Sequence, residues 1–219
     1  MKVYPLFLNN LADQRCVVIG GGHEAERKAA GLLECDAVVT VIHPALSEQL
    51  QRWAAEERIT WVPRAYRPGD LQGAFLAIVS EFDAETAQVI WQEAQAEKVL
   101  LNTMDDVPHC TFVAGSVVRR GPLVVSISTS GCAPALSVRL RQELEQRLGP
   151  EYGTFLELMA RLREPMAARY PDFDERRRRW YDLVDAGLLD AIRRDDLDAV
   201  RQGILAVVGE DIDLAVSTT

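Results

Sequence analysis

The sequence has little that would mark a membrane, secreted or nucleic-acid-binding protein. It contains no run of about 18 apolar residues. Its first residues lack the charged start, apolar core and cleavage site of a signal peptide. Basic residues are fewer than acidic ones, 24 against 33, so the net charge is −9. This balance argues against nucleic acid or an anionic membrane as the main partner, and we expect a cytoplasmic protein.

Cysteine is also scarce, and its spacing argues against two kinds of site. The four cysteines are far apart in the chain and include no C-x-x-C pair. We therefore expect reduced, mostly buried thiols rather than a disulfide framework or a zinc site. The residues are Cys16, Cys35, Cys110 and Cys132.

The remaining composition is that of a globular chain. Its 219 residues are 48% hydrophobic, which suits one large domain or two small ones with a sizeable core. Residues 16–102 alternate between short apolar runs and helix-like segments. Strands separated by helices predict βαβ crossovers and a parallel sheet. The predicted strands are 16–20, 37–42, 59–63, 74–80 and 99–102, and the predicted helices are 25–33, 46–54 and 83–97.

The pattern changes after residue 102. Residues 110–128, CTFVAGSVVRRGPLVVSIS, hold three strand-like runs with no helix between them, which predicts antiparallel or hairpin pairing. A helix is predicted from Pro134 to Leu148, and Gly149-Pro150 ends it. Residues 151–208 are helical in pattern and rich in charge. They include DERRRRW (174–180), which we interpret as a solvated helix face.

The stretch VVIGGGHEAERKA carries a candidate nucleotide site. Gly20, Gly22 and Ala25 fit the pattern G-x-G-x-x-G/A between a predicted strand and a predicted helix. In such a site the glycines allow a tight turn and a close approach to a pyrophosphate, which the helix N-terminus then binds. The alternative is a tight turn in an ordinary α/β sheet.

The end of the second predicted strand bears on which dinucleotide would bind. A dinucleotide site usually has an acidic residue there to hold the ribose hydroxyls, but this sequence has His43-Pro44. No arginine stands there to favour a 2′-phosphate either. We expect the backbone at Pro44 and Ala45 to hold the adenosine, and we favour NAD over NADP.

Polar residues follow the fifth predicted strand in NTMDDVPHCTF. Ligands of open α/β sheets bind beyond the carboxyl ends of the strands, so Asp105 or Asp106 could move a proton or bind a metal there. The alternative is a polar loop whose Asp and Asn residues form turns and caps. We interpret His109 as structural or solvent-facing.

A second polar stretch, SISTSG, precedes the helix that starts at Pro134. Its hydroxyl and N–H groups could form a cradle for ligand carboxylates. The alternative is a helix-capping loop. The candidate residues are Ser128, Thr129, Ser130 and Gly131.

Three segments occur in the order found in one known family. They are YPLFLNNLADQRCVVIGGGHEAERKAAGLL (4–33), NTMDDVPHCTF (102–112) and GPLVVSISTSGCAPALSVRLRQELE (121–145). Together with ERRRRWYDLVD (175–185), they resemble the precorrin-2 dehydrogenase family, the N-terminal module of siroheme synthase. The similarity covers roughly residues 3–205.

The resemblance implies a fold and a reaction. The fold would be α/β, with a Rossmann-type NAD-binding domain (1–113), a small α+β dimerisation region (114–150) and a helical C-terminal domain (151–219), usually as a homodimer. Members oxidise precorrin-2 to sirohydrochlorin by passing a hydride to NAD⁺, and some then insert ferrous iron to give siroheme. The chain would lack the methyltransferase module of the fused synthases, so we expect another protein to methylate uroporphyrinogen.

The resemblance also implies roles for particular residues. Asp105 matches the family's key acid, which serves both the oxidation and, as a transient Fe²⁺ ligand, the metal insertion. The cofactor-binding candidates are Gly20, Gly21, Gly22, His23, Glu24, Pro44, Ala45, Ser80 and Asn102. The substrate-binding candidates that it implies are Ser128, Thr129 and Ser130. Because the substrate would carry eight carboxylates, we also expect a local basic surface, with Arg119 and Arg120 as candidates. Arg139 and Arg141 also flank this region, and such a basic surface would bind the carboxylates of the tetrapyrrole.

Two features depart from the family pattern and keep one alternative open. His23-Glu24 follows the glycines, and Cys35-Asp36 replaces the usual Ala-Gly turn. We expect neither to abolish binding, because the phosphate contacts of such a loop are largely main-chain. The alternative function is a Rossmann sensor that binds NAD or a tetrapyrrole without chemistry.

Overall fold

Five parallel strands form a sheet in residues 3–114, the first of two units in the structure. The structure is a computed structural model and describes residues 3–209. The strand order is β3-β2-β1-β4-β5. The strands are β1 (Arg15–Ile19), β2 (Val38–Ile42), β3 (Thr60–Val62), β4 (Leu76–Val79) and β5 (Leu100–Thr103). The helices are α1 (His23–Leu33), α2 (Glu48–Ala55) and α3 (Ala84–Glu97).

Both faces of this sheet are buried, which is why its strands read as continuous apolar runs. Successive β1 side chains point to opposite faces. Cys16 and Val18 pack in the cluster that includes residues of α1 and α2. Val17 and Ile19 pack in the cluster that includes residues of α3. The predicted α/β fold is thus confirmed, with helices covering the two sides of one parallel sheet.

The strand order places a crevice beside β1. Within the sheet, β2 and β3 lie on one side of β1, and β4 and β5 lie on its other side. The chain therefore crosses over β1 between β3 and β4. In open α/β sheets, ligands bind at such a reversal, outside the carboxyl ends of the strands. The loops after β1 and β4 therefore lie where a ligand is expected.

The second described unit, residues 115–209, starts with an antiparallel hairpin. Its strands are β6 (Ser116–Arg120) and β7 (Leu123–Ile127), and α4 (Pro134–Arg147) follows them. The first of the three strand-like runs predicted here is not a strand, so that prediction is wrong. The N–H groups of Thr111 and Phe112 instead donate to the carbonyl of Leu101, which ties this run to β5 in the first unit.

Five helices pack around a core of their own after residue 150. Its fully buried side chains include Leu162, Met166, Leu183 and Ile204. Residues 1–2 and 210–219, which the predicted domains include, lie outside the described range. The helices are α5 (Glu151–Arg161), α6 (Arg163–Arg169), α7 (Phe173–Asp185), α8 (Leu188–Arg193) and α9 (Leu197–Val208).

The arginines of α7 do not all face solvent. Arg177 and Arg178 are exposed, as a solvated helix face predicts. Arg176 instead donates to the carbonyl of Tyr170 over 2.6 Å, and the Arg179 guanidinium lies 5.0 Å from the centre of the Tyr170 ring. The prediction was wrong for these two residues because their side chains pack back onto the helical unit.

All four cysteines are free thiols, but they are not mostly buried as expected. Cys16 is buried in the sheet, and burial raises its pKa to about 11. Cys35 and Cys110 are half-buried and Cys132 is exposed, because they lie in connecting segments rather than in strands. Within residues 3–209, no helix is long and apolar enough to cross a membrane.

Candidate functional site

The glycine loop between β1 and α1 is closely packed against its neighbours. Gly20 has a φ of 138°, a conformation that favours glycine, and a Cβ placed on it would lie 2.1 Å from Ser80 Oγ. A Cβ on Gly21 would lie 1.9 Å from the backbone oxygen of Ala45. The three loops that follow β1, β2 and β4 therefore meet at this point, and only glycine fits between them.

Two amide groups of this loop converge on one oxygen atom. The N–H groups of Gly21 and Gly22 donate to Glu81 Oε1 over 2.9 and 2.7 Å. Glu81 lies directly after Ser80 at the carboxyl end of β4, and its Oε2 lies 3.2 Å from His43 Nε2. Because Gly22 is the N-cap of α1, the positive end of the helix dipole also faces this carboxylate.

The environment of Glu81 favours its charged form. Partial burial alone would raise the pKa of its carboxyl. The hydrogen bonds from Gly22 and Gly21 and the nearby His43 outweigh burial, so the pKa lies below its ordinary value. The glycine loop thus stabilises an anion, as a cofactor pyrophosphate would require. Sequence reasoning did not find Glu81, although its position directly after a buried strand was a usable signal.

The end of β2 contributes main-chain groups to the same edge. Pro44 and Ala45 are exposed there. His43 Nδ1 lies 2.5 Å from the carbonyl oxygen of Ala45, and the indole N–H of Trp61 donates to the His43 carbonyl over 2.9 Å. These contacts fix the loop after β2 beside the glycine loop. The adenosine contact expected at Pro44 and Ala45 stays a prediction.

His23 and Glu24 open helix α1, directly after the glycines. The side chain of His23 is 95% exposed, and its Nδ1 lies 3.7 Å from the Glu26 carboxylate. Glu24 accepts a hydrogen bond from Arg27 over 2.5 Å, which lowers the pKa of its carboxyl. Cofactor contacts through these side chains stay predictions.

Two adjacent aspartates follow β5, and the structure gives them different surroundings. Asp106 Oδ2 lies 2.7 Å from His109 Nδ1, and His109 Nε2 lies 3.1 Å from Gln88 Oε1 on α3. Asp105 is exposed in a turn with a φ of 59°, and no hydrogen bond or ion pair joins its carboxylate to another described residue. His109 therefore holds the loop to α3, as the structural interpretation predicted, while Asp105 faces solvent at the ligand-binding edge.

Two further cofactor candidates make contacts within this first unit. Asn102 is buried, and its Nδ2 donates to the carbonyl of Phe112 over 3.1 Å. Ser80 Oγ donates to the carbonyl of Ile19 over 3.3 Å. Both side chains fix loops around the site, and direct cofactor contacts by them stay predictions.

The polar loop before α4 lies in the second unit and uses its hydroxyls internally. The N–H of Ser130 donates to Ser128 Oγ over 3.1 Å, and the N–H of Ala133 donates to Thr129 Oγ1 over 3.3 Å. Ser130 and Gly131 have φ values of 54° and 77°, so the chain turns sharply just before the helix. The hydroxyls of Ser128 and Thr129 thus hold the turn together, whereas no side chain of the N-cap residue caps α4, and substrate binding by the loop stays a prediction.

The candidate arginines near this loop differ in what they contact. Arg120 donates to the carbonyls of Leu148 and Glu145 over 2.7 and 3.1 Å, which satisfies the last turn of α4. Arg141 pairs with Glu145 over 2.5 Å. The guanidinium of Arg120 thus has a structural task that the sequence did not reveal.

The remaining two arginines of this group, Arg119 and Arg139, are exposed. Across residues 3–209, no group of three or more His, Cys, Asp or Glu side chains is placed to hold a metal ion.

Three family models match the chain in succession. The model described as "Putative NAD(P)-binding" matches residues 7–116, which is half of the chain. The model of the "Sirohaem biosynthesis protein central" region matches residues 120–147. The model of the "Sirohaem synthase dimerisation region" matches residues 151–206.

Curated relatives are similar over almost the whole chain. A siroheme synthase of Chromobacterium violaceum is 33% identical over 92% of this chain and 43% of its own length. One of Xylella fastidiosa is 35% identical over 93% of this chain and 42% of its own length. The chain thus spans less than half the length of these relatives.

One solved structure supports the fold independently. A chain described as "SirC, precorrin-2 dehydrogenase" superposes with a TM-score of 0.69 over 95% of this chain and all of that one, at 21% identity. At that identity the likeness shows the fold, and the family rests on the models, which cover the NAD(P)-binding, central and dimerisation regions in order. This chain therefore belongs to the siroheme synthase family, whose NAD(P)-binding, central and dimerisation regions it carries, as its sequence motifs had indicated.

Proposed function

We propose that this protein oxidises precorrin-2 to sirohydrochlorin with NAD⁺ in siroheme biosynthesis. The observation that carries the proposal is the anion-binding glycine loop at the crevice of the sheet. The exposed Asp105 follows β5, which pairs with β4 at the same edge of the sheet. The relatives are siroheme synthases, and the similar solved structure is described as a precorrin-2 dehydrogenase. NAD is favoured over NADP because no arginine follows β2 to bind a 2′-phosphate, although the acid that usually holds the ribose hydroxyls is absent there too.

The cofactor fits the residues present at the crevice. The N–H groups of Gly21 and Gly22 converge on Glu81 Oε1, and the same two donors would hold a phosphate group of the cofactor. A nicotinamide held by these residues would supply a hydride acceptor, and thereby a sink for two electrons of the substrate. Other residues in the proposed cofactor site are Gly20, His23, Glu24, Pro44, Ala45, Ser80 and Asn102.

Asp105 is proposed to accept the proton that leaves the macrocycle. Loss of one hydride and one proton removes two electrons and two hydrogens, which balances the oxidation. A carboxylate in the exposed turn after β5 can take that proton, whereas Asp106 is held by His109. The same carboxylate is a hard oxygen ligand, so it could also hold Fe²⁺ as the ion replaces two pyrrole protons of sirohydrochlorin.

The central region is proposed to contribute substrate contacts. The candidates are Ser128, Thr129 and Ser130 in the loop before α4, together with Arg119 and Arg120. A substrate that carries several carboxylates calls for cations and N–H donors, and the exposed Arg119 and Arg139 supply positive charge on this unit.

We further propose a cytoplasmic homodimer with domains at 1–113, 114–150 and 151–219. The match to the dimerisation-region model supports a dimer. Four free thiols are typical of a reducing compartment.

The test of this proposal is turnover by the purified chain. Precorrin-2 should be converted to sirohydrochlorin only with NAD⁺, followed by absorbance, and sirohydrochlorin plus Fe²⁺ tests the second activity. Asp105→Asn should lower the oxidation rate by about 10²–10⁴-fold, the usual contribution of a positioned base, without changing the Kd of NAD⁺. Asparagine also tolerates the left-handed backbone of this turn.

Asp36→Asn is the matched control. Asp36 is exposed, has a φ of 59° like Asp105, and precedes β2 at the opposite edge of the sheet. The Asp36→Asn variant should oxidise precorrin-2 at the wild-type rate. Near-normal turnover by Asp105→Asn would remove Asp105 from its assigned role. Tetrapyrrole binding without turnover by the wild type would instead favour the sensor alternative.

A further inference from the structure

The glycine loop holds a carboxylate that belongs to the same chain. Glu81 Oε1 accepts both N–H groups, from Gly21 and Gly22, and Oε2 lies 3.2 Å from His43 Nε2. The acid comes from the link between β4 and α3, about sixty residues after the loop it contacts. The Glu81 side chain thus joins the loop after β4 to the glycine loop after β1.

A bound dinucleotide would need the same donors. A glycine loop before a helix binds a pyrophosphate through its main-chain N–H groups, assisted by the helix dipole. An N–H group that donates to Glu81 cannot donate fully to a phosphate oxygen at the same position. Two anions placed at hydrogen-bonding distance from one N–H would also repel each other.

We propose that Glu81 is an internal competitor of the cofactor, and that its carboxylate must leave the glycine loop before the pyrophosphate can bind. Glu81 would then be a residue that sets cofactor affinity, in addition to those that contact the cofactor. This inference rests on the proposed use of NAD.

The local structure permits the exchange. The Glu81 side chain is 42% exposed, so it can turn into solvent without leaving an unpaired charge in the core. Its departure also releases His43, whose side chain is 31% exposed. Until the cofactor arrives, Glu81 keeps the N–H groups of the loop converged on one point, which preserves the geometry that the pyrophosphate needs.

The consequence is a lower apparent affinity. When a ligand binds only the open form, its apparent Kd rises as the open fraction falls. A charge-assisted hydrogen bond is stronger than a neutral one, so the carboxylate holds the closed form better than an amide would. We expect Glu81→Gln and Glu81→Ala to bind NAD⁺ about tenfold more tightly than the wild type.

The experiment is calorimetric titration of the full chain with three probes and no tetrapyrrole. The probes are NAD⁺, ADP, which keeps the pyrophosphate, and adenosine, which has no phosphate. Both Glu81 variants should gain affinity for NAD⁺ and ADP but not for adenosine. Their melting temperature without ligand should fall, and the rise on adding NAD⁺ should be larger than in the wild type.

Glu85→Gln is the control, because it removes the same charge from an exposed residue in the first turn of α3. It should bind all three probes as the wild type does. Unchanged or weaker NAD⁺ binding by both Glu81 variants would overturn the inference, since the carboxylate would then be neutral to the cofactor or in contact with it. Equal gains for adenosine would overturn it too. No NAD⁺ binding by the wild type or any variant would instead contradict the cofactor assignment itself.

Discussion

Gly21→Ala should damage the glycine loop, although the dinucleotide-binding pattern leaves its middle position open. An added Cβ would lie 1.9 Å from the Ala45 oxygen and 2.4 Å from His43 Nδ1. Relief requires the backbone after β2 to move, which would weaken the 2.7 Å hydrogen bond from the Ser47 N–H to the Gly21 carbonyl. Overpacking costs about 1–3 kcal/mol, and a lost hydrogen bond about 1 kcal/mol, so the free energy of unfolding should fall by about 2–4 kcal/mol.

The matched control is the same substitution ten residues later. Gly31 lies inside α1, and a Cβ placed on it meets nothing within 4 Å. Alanine is the better helix former, so Gly31→Ala should raise the free energy of unfolding by about 0.5–1 kcal/mol. The two variants thus make one chemical change with opposite expected signs.

Urea unfolding followed by tryptophan fluorescence measures both effects. Three of the four tryptophans lie in residues 3–114, so the signal reports mainly on the unit that holds the loop. Gly21→Ala should also weaken NAD⁺ binding, whereas Gly31→Ala should leave its Kd unchanged. Wild-type stability together with wild-type NAD⁺ affinity in Gly21→Ala would refute the steric reasoning.

Three further changes test other contacts of the fold. Arg120→Ala should lower the free energy of unfolding by about 1–3 kcal/mol in urea, because the carbonyls of Leu148 and Glu145 lose charged donors at the end of α4. An unchanged midpoint would contradict that structural role. Asp83→Ala should cost about 1 kcal/mol by the same assay, because it removes the N-cap of α3. Asp70→Asn should destabilise the protein at neutral pH, because the bidentate hydrogen bonds from Arg64 hold the pKa of Asp70 below its ordinary value. That stability is present above the unfolded pKa of about 3.9 and is lost as pH falls through the lower folded pKa, so the two unfolding curves should converge in acid.

The sequence was sufficient for the sheet and for the main features of the cofactor loop. Apolar runs such as 16–20 predict buried parallel strands, since both faces of the sheet are covered. Gly20 and Gly22 could be placed because strand, glycines and helix follow one another along the chain. The first strand-like run, before β6, was misassigned because an apolar run indicates burial, whereas a strand also needs a partner, and residues 110–114 are instead tied to β5.

Contacts between distant segments could not be predicted in this way. The restriction at Gly21 comes from the Ala45 carbonyl on the next loop, and the acid at the glycine loop comes from Glu81. Arg120 is a candidate substrate ligand because it is a cation near a polar loop, and that role stays a prediction. In the fold it donates to carbonyls at the end of α4, some 25 residues later. Each of these depends on which loops the strand order brings together.

For the two aspartates after β5, the sequence predicted part of the site, and contacts between distant segments determined the rest. Their type and position at the carboxyl end of a strand indicated chemistry, but nothing in the spacing distinguished Asp105 from Asp106 except the family resemblance. The fold distinguishes them through His109, which engages Asp106 and also contacts Gln88 on α3. Because that contact fixes the loop on its far side, the left-handed turn at Asp105 presents a carboxylate to solvent from an anchored backbone. The role proposed for Asp105, a base toward a bulky macrocycle, needs both properties, and the contact between Asp106 and His109 supplies the anchoring.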